Sequence, residues 1–207
     1  IGKAKTFHQA ALRNAGVVID QLGDRQLCDY STVDAGNVRD ALIDKGLSVL
    51  SVRPIFTTVK AVINLAIAEH GLDIRNAFSA IYMPEAESKK RVSIPVETIR
   101  QIQQSCLEHD DDMRWLIALI SDTGMRLAEA AGLHVDDIKL DEDIPYVDIK
   151  PHPWRSLKTK GSQRQVPLVG ASLWAAQRIK QTASSYFAFD RYTDNQQCRA
   201  NSASNAL

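Results

Sequence analysis

From Pro84 to Pro95 the chain reads PEAESKKRVSIP, and this segment, more than any other, limits what the sequence can fold into. It is polar, charged and bounded by a proline at each end, the composition of a connector and not of an element that buries a face. A chain interrupted in this way does not form one continuous core. The expected organisation is a unit over residues 1–83, a linker over 84–95 and a second unit over 96–207. The length of 207 residues suffices for both, since domains commonly run to ~100–150 residues.

Before the linker the apolar positions of FHQAALRNAGVVIDQL, VRDALI and VKAVINLAIAEHGL recur at helical spacing. Ser31 with Asp34 three residues on forms a capping-box pattern, while Gly46 and Gly71 close the second and third helices. After the linker, VETIRQIQQSCL and MRWLIALISDTG predict two more helices, the second opened by Asp110 to Asp112 as cap and first-turn acids. The period then changes to two. PYVDIK, WRSLKTK and RQVPL predict a small antiparallel sheet, and helical spacing returns from Ser172 to Gln181. The fold class expected is mainly α with a small antiparallel β-sheet. CRANSASNAL at the end carries no closing signal, which is expected of a chain that stops inside a domain.

A hydrophobic share of 44% and a charged share of 24% exclude a disordered or fibrous chain. The sequence has neither an apolar run near the ~20 residues of a membrane span nor a secretory signal pattern, so no membrane partner and a cytoplasmic location are expected. Cys28, Cys106 and Cys198 are far apart and form no CxxC pair; free thiols are expected, not a disulfide framework or a zinc site. Formal net charge is zero, which alone argues against a phosphate-rich partner. The charge is uneven, however. Acid gathers at Asp110 to Asp112 and Asp136 to Glu142, base at Lys89-Lys90-Arg91 and at Lys150, Arg155, Lys158, Lys160 and Arg164, so a neutral total is compatible with a basic face.

The most informative stretch is SDTGMRLAEAAGL, Ser121 to Leu133. Gly124 can take the left-handed conformation that ends one helix, which places Arg126 in the first turn of the next, beside its anion-friendly end. Glu129, three residues on, shares that face and can hold the guanidinium in one orientation. An oriented guanidinium grips a phosphate through two parallel hydrogen bonds. Taken alone, the pair is an ordinary surface ion pair worth under ~1 kcal/mol. The order of elements around it, a helix pair with this turn, an acidic connector and then a hairpin ending in KTKGSQRQVPL, favours the phosphate reading.

These stretches resemble a known family. TGMRLAEAAGL is similar to the box of tyrosine recombinases of the phage-integrase kind that supplies the first catalytic arginine, and LKTKGSQRQVPL resembles their hairpin with the catalytic lysine. The segment from QLGDRQLCDYSTVDAGNVRDALIDKG to AIAEHGL resembles the family's helical core-binding domain. The resemblance implies a SAM-like core-binding domain, its first helix incomplete, followed by the N-terminal part of an α+β catalytic domain. It also implies DNA cleavage and rejoining through a 3′-phosphotyrosine intermediate, with no metal and no cofactor. Arg126 would neutralise the non-bridging oxygens, Glu129 would orient Arg126, and a hairpin lysine would protonate the leaving 5′ oxygen. Lys160, next to the Gly161 turn, is preferred for that lysine; Lys158, two residues earlier on the same strand face, is the alternative.

Double-stranded DNA is the partner implied. The candidate contacts are Ser51, Arg53, Thr57 and Lys60 on a helix of the first unit, Lys89, Lys90 and Arg91 in the linker, and Arg155, Lys158 and Arg164 on the hairpin. The family's later box of a histidine and a second arginine is absent, as are the following His or Trp and the nucleophilic tyrosine. The chain is therefore expected to be an inactive DNA-binding fragment of a bacterial or phage-encoded parent. A tetramer on DNA is expected for that parent and a monomer for the fragment. A shortened DNA-binding regulator and a helical protein-interaction module are the alternatives, with a metal-dependent nuclease built on the acid clusters more remote. Tyr186 and Tyr192 read as packing or surface residues, Trp115, Leu116, Leu119 and Ile120 as core, and His109 to Asp112 as a helix cap rather than a metal cluster. Asp136, Asp137, Asp141, Glu142 and Asp143 read as a solvated loop, and His134 and His152 as structural or exposed.

Overall fold

The computed structural model describes residues 2–85 and 92–207, without the side chains of residues 2–6 and Lys160. The chain divides into two compact units, Ile1–Arg91 and Val92–Leu207. In the first, α1 (Gly2–Leu22), α2 (Thr32–Asp44) and α3 (Val49–His70) surround a core of Val18, Ala35, Val38, Leu42, Val52, Phe56, Val59 and Phe78. The capping box predicted from sequence opens α2: the Asp34 N–H donates to Ser31 Oγ at 3.1 Å and the Ser31 N–H to Asp34 Oδ2 at 2.8 Å.

By length and composition alone α3 is apolar enough to cross a membrane, although Arg53 and Lys60 interrupt it and no uninterrupted apolar run approaches ~20 residues. Hydroxyls and Asn64 interrupt its apolar residues further. Its buried side chains, Val52, Phe56 and Val59, serve the core of this unit.

The second unit packs α4 (Val96–His109), α5 (Asp112–Thr123), α6 (Leu127–Ala131), α7 (Gly170–Thr182) and α8 (Ala200–Ala206) with a three-stranded sheet. The strands β1 (Ile138–Lys139), β2 (Tyr146–Ile149) and β3 (Arg164–Pro167) pair antiparallel in sequence order, with Ile138 opposite Val147 and Val147 opposite Val166. Val147 and Ile149 are fully buried while Tyr146 and Asp148, which alternate with them, are not, as alternation along a half-buried strand requires. Leu116 and Leu119 lie in the core, and Trp115 and Ile120 pack against it.

Three local expectations need correction. WRSLKTK is not a strand. Pro151 and Pro153 interrupt its approach, Arg155 turns into the interior, and the segment forms turns around an isolated His152–Arg155 bridge before a short 3-10 turn at Lys160–Ser162. Asp110 does not open α5. It ends α4 in the left-handed conformation (φ 47°), accepts hydrogen bonds from Arg178 (2.6 and 2.9 Å) and Trp115 Nε1 (2.7 Å), and leaves Asp111 to cap α5. Asp137 is not solvated: it is 1% exposed and takes Lys150 Nζ at 2.7 Å, with His152 Nε2 at 2.5 Å. That histidine lies stacked on Trp154, ring centroids 4.5 Å apart.

Candidate functional site

Gly124 ends α5 at φ 61°, a conformation that costs any residue with a Cβ, and the chain then turns so that Arg126 caps α6. Arg126 is thus one residue ahead of its predicted position in the first turn. Glu129, on the same face, is 3% exposed. Its Oε1 accepts from Arg126 Nη1 at 2.7 Å, and its Oε2 from the Arg126 N–H at 3.1 Å and from Arg164 Nη2 at 2.9 Å. Burial pushes the Glu129 carboxyl up, but the guanidinium of Arg164 and the N–H and guanidinium of Arg126 outweigh it and hold it below the usual carboxylate range. This is more than a surface ion pair, because the anion is desolvated and tied at both oxygens.

The cations remain accessible. The Arg126 side chain is 51% exposed and that of Arg164 35%. Arg126 Nη1 also donates to Ser162 Oγ at 3.2 Å, so the hairpin turn meets the Arg126 helix directly. Gly124, Arg126, Thr159, Gly161, Ser162 and Arg164 line an open cleft of about 330 Å³. Two guanidiniums share one carboxylate there, which leaves a net positive charge beside two hydroxyls. That set can bind a tetrahedral oxyanion by charge and by donated hydrogen bonds.

Lys158 is exposed on the loop that forms this wall. The Lys160 backbone adjoins Gly161 in the same wall, and its side chain lies outside the described residues, as do Lys89, Lys90 and Arg91. Arg155, expected to contact DNA, does not face solvent. It is 3% exposed and its guanidinium donates to the main-chain carbonyls of Glu129 and Lys150, the latter at 2.6 Å. Sequence reasoning missed Thr159 and Ser162, whose only signal was a pair of hydroxyls flanking the Gly161 turn. It also missed that Arg164 is the second cation on Glu129, for which a separation of 35 residues gives no signal.

In the first unit Ser51, Arg53, Thr57 and Lys60 are all exposed on α3. Arg53, Thr57 and Lys60 follow one helical face and line a second cleft of about 130 Å³ together with Phe56, Phe78, Ser79, Ile81 and Met83. Lys60 Nζ donates to the Ser79 carbonyl at 3.1 Å, and Thr57 Oγ1 to the Arg53 carbonyl at 2.9 Å. Ser51 Oγ is engaged with Ser48 Oγ at 3.0 Å, at the N-terminal end of the helix. No carboxylate among the described residues pairs with Arg53 or Lys60.

Known proteins share this architecture. The chain is similar to the Tn1549 transposon integrase in complex with a circular intermediate DNA (16% identity, TM-score 0.70, covering 96% of this chain and 68% of that one). It is also similar to lambda integrase as a tetramer bound to a Holliday junction (17% identity, TM-score 0.66, 95% and 54%) and as a dimer bound to a COC′ core site (19%, 0.65, 94% and 57%). The chain therefore spans a little over half the length of those lambda integrase chains. At such identities these likenesses establish the fold. No curated protein matches the sequence. The profile described as the phage integrase family matches residues 93–205, more than half of the chain and all of the elements that build the Arg126 cleft, and the chain accordingly belongs to the phage integrase family of tyrosine recombinases.

Proposed function

We propose that this chain grips duplex DNA as part of a site-specific recombinase, with Arg126 and Arg164 on a backbone phosphate in the second unit and the Arg53–Lys60 face of α3 on the duplex in the first. The observation that carries this reading is the Arg126 fork, held by a carboxylate that is 3% exposed yet half-open to a cleft with hydroxyls opposite. A guanidinium of an ordinary surface ion pair has a solvated partner. This one is oriented and left accessible, which is what a preorganised phosphate site requires. The DNA-bound integrases with the same fold agree with it.

In the parent reaction a tyrosine oxygen attacks the phosphorus, the bond from phosphorus to the 5′ oxygen breaks, and the 3′ phosphate stays on the enzyme. Arg126 and Arg164 meet the charge on the non-bridging oxygens as it builds. Lys160, or Lys158, gives its proton to the departing 5′ oxygen. Thr159 and Ser162 orient the loop that carries them. We place the nucleophile outside these 207 residues, because Tyr192 is 3% exposed within the core and Tyr186, though 72% exposed, falls like Tyr192 before the expected position of the family's later histidine and arginine box. The parent acts as a tetramer on DNA, and this chain alone is a monomer that binds without cleaving.

Fluorescence anisotropy on a labelled duplex tests the reading. The logarithm of affinity should fall linearly with the logarithm of salt concentration as counterions are released, and Arg126→Ala should weaken binding. An absence of salt-sensitive affinity, or a covalent adduct formed by this chain on nicked DNA, would each reject part of the reading: the first the DNA grip, the second the placement of the nucleophile.

A further inference from the structure

Arg155 is buried without a counter-anion. Its guanidinium donates to the main-chain carbonyls of Glu129 and Lys150, its Nε has no partner, and no carboxylate among the described residues bonds it. Burial lowers its pKa, with Asp137, Cys198 and Glu129 partly offsetting that cost. An apolar side chain of similar length would fill this space without taking a charge out of water. The surroundings are nevertheless shaped for the arginine: a Cβ at Gly132 would stand 2.8 Å from Arg155 Cδ, so the end of α6 is kept bare where the stem passes.

The two carbonyls are informative by their places in the fold. Lys150 immediately follows β2, where the outgoing limb of the β2–β3 connection begins. Glu129 is the residue whose carboxylate holds Arg126 and, from the returning limb, Arg164. Both limbs of the connection are thus tied to one residue, the outgoing limb through its main chain and the returning limb through its side chain. Between the ties run residues 156–163, with Thr159 and Ser162 on the cleft and Lys158 and Lys160 beside them.

We propose that Arg155 is a positioning residue: by anchoring the outgoing limb to the Glu129 main chain it sets residues 156–163 at the distance from Arg126 that a single phosphate spans. Trp154, its neighbour, donates from Nε1 to the Gly132 carbonyl at 3.1 Å and so anchors the same limb to the same helix end without engaging Glu129. The inference rests on the phosphate reading of the Arg126 cleft.

Two measurements on the whole chain test it, using Arg155→Met, Arg155→Lys and Trp154→Phe. Limited trypsin digestion compares nicking after Lys158 and Lys160 with nicking after Arg178 in α7, which reports opening of the core. Arg155→Met should raise the ratio of loop to core nicking about tenfold, Arg155→Lys less, because an ammonium can still reach one carbonyl, and Trp154→Phe hardly at all. A ratio unchanged in both Arg155 variants, or raised as much by Trp154→Phe, would overturn the proposal. Should the methionine variant not fold, the lysine variant carries the same comparison.

The second measurement is a double-mutant cycle on DNA affinity. Replacing Lys158 and Lys160 together by Gln should cost about fivefold in the parent sequence and under about twofold in the Arg155→Lys or Arg155→Met background. Equal losses in both backgrounds would reject positioning while leaving the DNA grip intact. A parent sequence with no salt-sensitive affinity would instead reject the phosphate reading, and the trypsin ratio would still decide whether Arg155 anchors the loop.

Discussion

In the C-terminal unit Arg126 and Arg164 are bound to a carboxylate that is 3% exposed, whereas in the N-terminal unit Arg53 and Lys60 stand on an open helix face and, among the described residues, meet only main-chain carbonyls. The first arrangement fixes direction. Each guanidinium shares a desolvated anion, so its remaining donors point where the fold aims them, and moving any member disturbs the others. The second fixes only location, because long solvated cations adjust to whichever phosphate is near. On the proposed reading, the contrast separates a site for chemistry on one phosphate from a surface that holds a duplex.

The largest effect expected from this contrast is on stability. Glu129→Ala leaves two guanidiniums without their shared anion and should lower the unfolding free energy by about 3 kcal/mol in denaturant titration, whereas Arg53→Ala should change it by under about 0.5 kcal/mol. A small loss for Glu129→Ala would reduce the cluster to an ordinary surface pair. Next comes DNA affinity. Arg126→Ala should cost about tenfold and Arg53→Ala about threefold by anisotropy at one fixed salt concentration, because an oriented, desolvated donor pair loses more than a solvated cation. Equal losses would erase the distinction between the two regions.

A subtler difference should appear in the salt dependence. Arg53→Ala and Lys60→Ala should each flatten the slope of log affinity against log salt by about one, and an unchanged slope would remove α3 from the interface. The smallest effect expected is on acid stability. The Glu129 carboxyl is held below its unfolded value, which lies near ~4.3. Its contribution is therefore complete above that unfolded value and is lost as the pH falls through the folded one. Unfolding curves between pH 3 and pH 7 should show this loss in the parent sequence and not in Glu129→Gln. A loss of the same size in that variant would assign the acid sensitivity to other carboxylates.

Features set by residues close in sequence were legible before the fold was known. The Ser31–Asp34 box, the Gly124 turn and the Arg126–Glu129 pair each lie within one helical turn and have the same geometry in any helix of that sequence. The sheet was legible only in part. Alternation placed Tyr146–Ile149 and Arg164–Pro167 correctly, but WRSLKTK carries similar β-forming residues and became turns, because Arg155 found buried carbonyls at Glu129 and Lys150. Asp137 looked like one of a run of solvated acids. It became a buried partner for Lys150 and His152, 13 and 15 residues away, and nothing in the local pattern marks it out from Asp136.

The sequence by itself determined the capping box of α2, the glycine ends of α3 and α5, which faces are apolar, and that an arginine beside a glycine turn would be paired with a glutamate one turn on. These are consequences of backbone sterics and helical periodicity, which act over a few residues. Only the tertiary structure decided which cations share that glutamate and which one is hidden. Arg155 and Arg164 are equally basic on paper, yet one is drawn under α6 by unpaired carbonyls and the other is left on the cleft wall. Burial and hydrogen-bond satisfaction belong to the packed assembly of distant segments, and no stretch of sequence shorter than the unit contains them.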